Sequence, residues 1–337
     1  MTRARDTADT QDNSGGAVAP FVAGKNFQIN GGFDIWQRGT TLNAVSHSTY
    51  TADQWIAVTD SIGTVNITQQ NIAAQGLGVN YCMRVEKSAG ASQRVVMVSV
   101  PEGALSCVGK TVTLSGYLRK GSALTSNVTV DIGTRATRYG TQYDGIVSST
   151  ISNASLNSST FTKFSYSFNV TTTTSTNSAN LFELEILYTQ AGGANVYLEI
   201  AAIQIEVGSA ATPFSRAGGT LAGELAACQR YYWRYTAATA SGNYMPFGMG
   251  HAVDANNARF MFQYPVSVRA TPTLTFTAAS TFQKSYGTSF TSIATAEVGR
   301  NSTSVDVVKT GEFAANQAVL VSAAGNQTAY IEVSAEI

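Results

Sequence analysis

Between residues 25 and 208 the chain repeats one pattern: short runs of alternating apolar and polar positions, rich in β-branched and aromatic residues, separated by Gly, Asn or Ser. Successive strand side chains point to opposite faces, so a period of two marks a strand with one buried face. Val112, Leu114, Gly116 and Leu118 alternate with Thr111, Thr113, Ser115 and Tyr117. Phe161, Phe164, Tyr166 and Phe168 favour one face of another run. Nine such runs without a convincing helix predict an all-β fold, an antiparallel β-sandwich over residues 25–215. In "NVYLEIAAIQIEV" the apolar parity switches at Ala201 and Ala202, which predicts a β-bulge of the kind that lets a long strand pass between two sheets. "SSTISNASLNSST" (148–160) and "TTTTSTNS" (171–178) read as exposed loops at one end of the sandwich.

The helix signal lies in "GGTLAGELAACQRYYWRY". Thr220 is placed to cap it, and Leu221, Leu225, Cys228 and Tyr232 fall on one face, predicting about twelve helical residues in a linker at 216–235. "YYWRY" (231–235) is helical or just past the helix and expected to pack between domains. Residues 236–337 predict a second, smaller β-sandwich domain. In its last run Ala329, Ile331, Val333, Ala335 and Ile337 face one way, with Tyr330, Glu332, Ser334 and Glu336 opposite, solvated or meeting another subunit. Residues 1–24 are polar and aperiodic until Phe21, either a loose terminus or an arm that docks on a neighbouring subunit.

Composition narrows the function classes. Hydrophobic residues make up 44% of the 337, enough for a core, while charged residues are only 12%, about half the usual share. Lys plus Arg equals Asp plus Glu at 21 each, so no basic field draws nucleic acid or an acidic membrane. No apolar run approaches the roughly 20 residues of a membrane span, and no apolar signal-peptide core opens the chain, so membrane insertion is not expected and synthesis as a soluble cytoplasmic chain is. Cys82, Cys107 and Cys228 are widely spaced and form no C-x-x-C motif. They read as small buried apolar side chains, with a Cys82–Cys107 bond open if their strands are neighbours.

Reaction chemistry has few candidates. His47 and His251 are the only histidines, and both read as loop residues; H-E-x-x-H, G-x-S-x-G, P-loop and G-x-G-x-x-G motifs are missing. Glu183 and Glu185 share a strand face with Cα atoms about 6.6 Å apart, a separation usable for glycoside hydrolysis. Phe182, Leu184 and Ile186 alternate with them, however, as in any half-buried strand with a wet face. Asp254 in "DANN" suits a turn as well as a cation. The expectation is no catalytic set, no cofactor and no metal. Tyr139 and Tyr143, in the glycine-punctuated "TRATRYGTQYDG", are candidate glycan-facing aromatics because sugar C–H faces stack on rings; a plain hairpin tip is the competing reading.

The stretch "INGGFDIWQRG" sets Gly31 and Gly32 before Phe33, predicting a positive-φ turn. Phe33, Ile35 and Gln37 then alternate with Asp34, Trp36 and Arg38, so Asp34 and Arg38 are placed to pair beside Trp36, or Arg38 to stack on an aromatic. "YTADQWIAV" adds Asp53 and Trp55. Gly32, Trp36, Arg38, Asp53 and Trp55 read as a fold-locking motif that ties the first segment to the sandwich.

"NFQINGGFDIWQRGTT" followed by "YTADQW" resembles the start of a family of tailed-bacteriophage tail-fibre or virion appendage proteins, with a jelly-roll domain similar to carbohydrate-binding modules. "IQIEVGSAATPF", "CQRYYWRY", "YPVSVRATPTLT" and "AYIEVSAEI" continue the resemblance in order. It implies a virion structural protein, a homotrimer whose N-terminal arm binds other virion proteins, with host-surface polysaccharide as a candidate ligand and no catalytic set. A capsid decoration or head fibre, and a polysaccharide-depolymerising tailspike, are the alternatives.

Overall fold

The computed structural model describes residues 25–59, 64–135, 144–170, 181–237, 244–285, 287–325 and 328–336. The arm at 1–24, the predicted loop at 171–178, and Tyr139 and Tyr143 lie outside the described residues. The chain divides into two compact units, Met1–Ala227 and Cys228–Ile337. Among the described residues no helix is long and apolar enough to cross a membrane.

In chain order the first unit has β1 (Thr41–Leu42), β2 (Thr49–Tyr50), β3 (Trp55–Thr59), β4 (Val65–Asn71), β5 (Tyr81–Lys87) and β6 (Gln93–Ser99). Next come β7 (Thr111–Lys120), β8 (Val128–Arg135), β9 (Asp144–Ile151), β10 (Thr162–Asn169), β11 (Leu181–Gln190) and β12 (Tyr197–Val207). They form two six-stranded antiparallel sheets, ordered β1-β4-β5-β12-β7-β10 and β2-β3-β6-β11-β8-β9. The chain crosses between the sheets again and again, as jelly-roll connections do, and the two inner faces share one core. Leu114, Leu118 and Ile200 from the first sheet meet Val130, Leu184 and Ile186 from the second. Burying each such side chain stabilises the unit by roughly 1.5–3 kcal/mol.

The bulge in β12 is present, with the register shifting between Ala201 and Gln204 and Ala202 at φ 51°. The strand does not change sheets, however. On one side it pairs with β7 throughout; on the other β5 pairs only with Tyr197–Ile200. Beyond the bulge the segment 26–31 takes β5's place: Phe27 N donates to Ile205 O at 2.8 Å, and Ile203 N to Gly31 O at 2.9 Å. The parity switch therefore marks a change of hydrogen-bonding neighbour.

That docking explains the glycines. Positive φ falls on Asn30 (56°) and Phe33 (55°), not on Gly31 or Gly32 as the sequence suggested. Gly31 is required by close approach, since a Cβ there would lie 2.0 Å from the Ile203 carbonyl oxygen. Asn30 makes its left-handed conformation tolerable by bonding locally: its amide donates to the carbonyls of Ile35 and Asp53, and its Oδ1 accepts from Ile35 N.

Residues 33–36 are irregular and lead into a turn at 37–38 rather than forming a strand, so the predicted alternation fails and Phe33 and Trp36 enter the same core. Phe33 lies 5.1 Å from the Trp55 ring, and Trp36 Nε1 donates to Phe33 O at 2.8 Å. Arg38 Nη1 is 3.9 Å from the buried Asp53 carboxylate, and its guanidinium lies 4.7 Å over Tyr50. Asp34 pairs with Arg216 at 2.8 Å rather than with Arg38. The partner comes from 182 residues away, beyond the reach of local alternation.

Two further corrections concern hydroxyl-rich sequence and the helix. Residues 148–151 of the predicted loop belong to β9, where pairing with β8 supplies the order that composition hides. The helix α1 (Leu221–Gln229) has nine residues, with Thr220 Oγ1 accepting from Gly223 N. Its buried side chains are Glu224 and Cys228, while Leu221 and Leu225, assigned inward by periodicity, are 53% and 36% exposed. Tyr232 is not helical at all.

The second unit has β13 (Tyr232–Thr236), β14 (Pro246–Ala252), β15 (Asn257–Gln263), β16 (Thr273–Phe276) and β17 (Phe282–Lys284). β18 (Ser292–Val298), β19 (Ser302–Val308), β20 (Ala318–Ala323) and β21 (Tyr330–Ser334) complete it. Its sheets run β13-β21-β16 and β17-β20-β14-β15-β19-β18. Tyr232–Thr236, read as helix or linker, is a strand because Val333 and its neighbours in β21 offer it a partner, and Trp233 and Tyr235 pack on this unit's own core. Ala329, Ile331, Val333 and Ala335 are buried as the alternation predicts.

Candidate functional site

A cleft of about 410 Å³ lies on the outer face of the β5-β12-β7-β10 sheet. Its floor is Ser115 and Tyr117 from β7, Lys163 from β10, and Ala202 and Gln204 from β12. Register lines these up: Tyr117 sits opposite Lys163 on one side and Ala201 on the other, and Ser115 opposite Gln204. The bulge matters here. It re-aims β12 so that two alanines flank Tyr117, leaving a depression that larger side chains would fill.

Two loops raise the walls. One is the turn 76–78, whose Gly76 and Gly78 adopt φ 67° and 78°, with Leu77 facing inward. The other is residues 211–214, ending on Phe214. The second wall is pinned by a buried carboxylate. Glu206 accepts from Thr212 N at 2.9 Å, Thr212 Oγ1 at 2.7 Å and Gln204 Nε2 at 2.7 Å, with Lys25 at 3.4 Å. Burial by itself would raise its pKa; these hydrogen bonds and Lys25 outweigh it, and the carboxyl is held below its ordinary value. Gln204 Oε1 in turn accepts from Ser215 N at 2.7 Å. Further along, Glu224 accepts from Asn30 N and Gly218 N, and burial raises its pKa against those two bonds and Arg216.

The floor polar groups are of another kind. Ser115 Oγ, Tyr117 Oη and Lys163 Nζ have no side-chain hydrogen bond or ion pair among the described residues. Other cations of this unit are held: Arg84 and Arg119 by Glu199, Arg216 by Asp34, Lys25 by Glu206. Three unengaged donors between the apolar sides of Leu77, Tyr117 and Phe214 make a surface that can stack on a ring and bond its substituents. Next to it, the fully buried Glu199 bridges Arg84 and Arg119, which stack on Tyr197 at 4.1 Å and Phe161 at 4.5 Å.

The described residues singled out from sequence as candidate chemistry lie elsewhere. Glu183 and Glu185 are on β11 in the opposite sheet; Glu183 is buried rather than on a wet face, and Glu185 sits opposite Asp131. His47 Nδ1 contacts Thr59 O at 2.9 Å. His251 is on strand β14, not in a loop. The glycines that suggested a loop are there because β15 approaches closely: a Cβ on Gly250 would lie 1.8 Å from Arg259 O. Asp254 closes a turn by accepting from the N–H groups of Asn256 (2.7 Å) and Asn257 (2.9 Å), bonds that hold its pKa down. Cys82, Cys107 and Cys228 are free and buried. No group of three His, Cys, Asp or Glu suited to a metal occurs among the described residues.

No known family profile matches the chain. No curated protein matches it either. Solved structures overlap its sandwich fold at low identity. The enzymatically active domain of tailspike protein 4 from bacteriophage CBA120 overlaps at TM-score 0.37 and 11% identity, over 57% of this chain and 24% of that one. The chain thus spans about a quarter of that tailspike domain. The module TmCBM61, solved with β-1,4-galactotriose, overlaps at TM-score 0.32 and 11% identity, over 54% of this chain and 99% of the module. The xylan-binding domain CBM22-1 of Paenibacillus barcinonensis Xyn10C overlaps at TM-score 0.29 and 15% identity, over 51% and 98%. Both enzymes and non-catalytic modules share such overlaps, and overlaps this shallow transfer neither ligand nor activity.

Proposed function

We propose that the chain is a non-enzymatic structural subunit of a tailed-bacteriophage particle, a tail fibre or appendage, whose first unit binds host-surface glycan. One observation carries the ligand: the unengaged hydroxyls of Ser115 and Tyr117 and the ammonium of Lys163 line one cleft between two walls, one of which Glu206 holds in place. The motif series from "NFQINGGFDIWQRGTT" to "AYIEVSAEI" supports the particle. Assembly as a homotrimer made in the host cytoplasm, attached through residues 1–24, belongs to the same reading. Met249 and Met261 support self-association, as cross-strand neighbours 67% and 66% exposed on the second unit.

The test is calorimetric titration of the full chain with polysaccharide from the host surface, with Tyr117→Ala as the site variant. Loss of one stacking ring should weaken binding about three- to tenfold. No heat of binding from any host polysaccharide sinks the glycan reading. Sedimentation at 35.5 kDa counts against the assembled fibre.

A further inference from the structure

We infer that the cleft selects acidic saccharides, those carrying carboxylates, through Lys163; this rests on the glycan reading above. Charge around the cleft is the reason. Lys163 is exposed, stands directly across from Tyr117 in the β7–β10 register, and has no ion-pair partner among the described residues. In a chain with only 12% charged residues, most of its described cations engaged, a cation left open at the mouth of a cleft stands out.

The groups facing the cleft from every side reinforce it. From β12, Glu206 is neutralised by Lys25 and accepts three hydrogen bonds from Thr212 and Gln204. Glu199 is enclosed between Arg84 and Arg119, the latter two residues beyond Tyr117 on the same face of β7. With Glu86 counted in, half-buried opposite Tyr197 two residues beyond Arg84 on the same face of β5, positive charge on this face still exceeds negative, and Glu206 and Glu199 are both taken up by their own cations and donors. Ser115 and Tyr117 offer hydroxyls that donate to a carboxylate. A ring stacked on Tyr117 or Phe214 would place its carboxylate within reach of the flexible Lys163 side chain.

Each of two probes, oligogalacturonate and oligosialate, is titrated into the full chain beside its methyl ester, which keeps the ring and removes the charge. Titrations are repeated at high salt and with Lys163→Gln and Tyr117→Ala; circular dichroism melting confirms that each variant folds. At least one acid should bind about fivefold or more tightly than its ester, the gap shrinking with salt as an exposed charge contact does. Lys163→Gln should bring the acid down to its ester, whereas Tyr117→Ala should weaken both. Acid and ester binding equally overturns acid selectivity, and a preference that survives Lys163→Gln overturns the role given to Lys163; both leave glycan binding standing. Binding by a neutral host polysaccharide but by neither acid likewise overturns acid selectivity. Failure of every saccharide overturns both.

Discussion

Replacing Glu199 by alanine removes the carboxylate that holds Arg84 and Arg119 together beside the cleft. In the parent, Glu199 Oε1 accepts from Arg84 Nε at 3.0 Å and Nη2 at 2.7 Å, and Oε2 accepts from Arg119 Nε. The carboxylate is fully buried, so truncation leaves two guanidiniums on strands flanking β12 with their shared counter-charge gone. Removing one partner of a buried ion pair costs about 3–5 kcal/mol. Arg84 and Arg119 keep 28% and 18% of their side-chain surface exposed, so water recovers part of that loss. The expected destabilisation is therefore about 3 kcal/mol, the low end of the range. For a unit of this size each kcal/mol moves Tm by about 2–4 °C, so the first unit's transition should fall by about 6–12 °C. Differential scanning calorimetry and urea unfolding both read it.

A companion variant separates lost pairing from lost packing. Arg84→Met, Glu199→Leu and Arg119→Met together replace the whole cluster by apolar side chains of comparable volume, a change that is often close to neutral. The triple variant should be more stable than Glu199→Ala despite altering three positions. A single variant within about 0.5 kcal/mol of the parent, the size of an ordinary surface substitution, would refute the reasoning, as would a triple variant less stable than the single one.

Gly31→Ala should cost more than about 1 kcal/mol, because the obstacle at 2.0 Å is backbone and cannot rotate away; amide exchange at Ile203 and Ile205 should accelerate, and unchanged protection there would be a contrary result. Glu206→Gln concerns acid stability. A folded pKa below the ordinary 4.5 means that Glu206 contributes stability above that value and loses it as pH falls through the folded pKa. The stability gap between parent and variant, from urea titrations at several pH values, should therefore narrow below pH 4.5; a gap constant from neutral to acid pH contradicts the assignment.

Alternation was sufficient to make the chain legible as stacked antiparallel sheets. Each long run fixes its own inward face: Val112, Leu114 and Leu118 are all at 0% exposure, and Ala329, Ile331 and Val333 likewise. The same period put Ser115 and Tyr117 on an outward face, and the parity switch located the bulge at Ala201 and Ala202. Local pattern failed where the deciding partner is remote. β1 and β2 have two residues each, too few to show a period, and β14 carries glycines that only the approach of β15 explains. Glu224 is turned inward on α1 because backbone N–H groups at Asn30 and Gly218 need an acceptor, a demand invisible to a search for apolar faces. The cleft is the furthest case: Leu77, Tyr117, Lys163 and Phe214 come from four separate stretches. Side-chain period is a property of neighbouring residues and is written in the sequence; a concave surface is a property of which strands pair and where their loops return, and only the folded chain decides that.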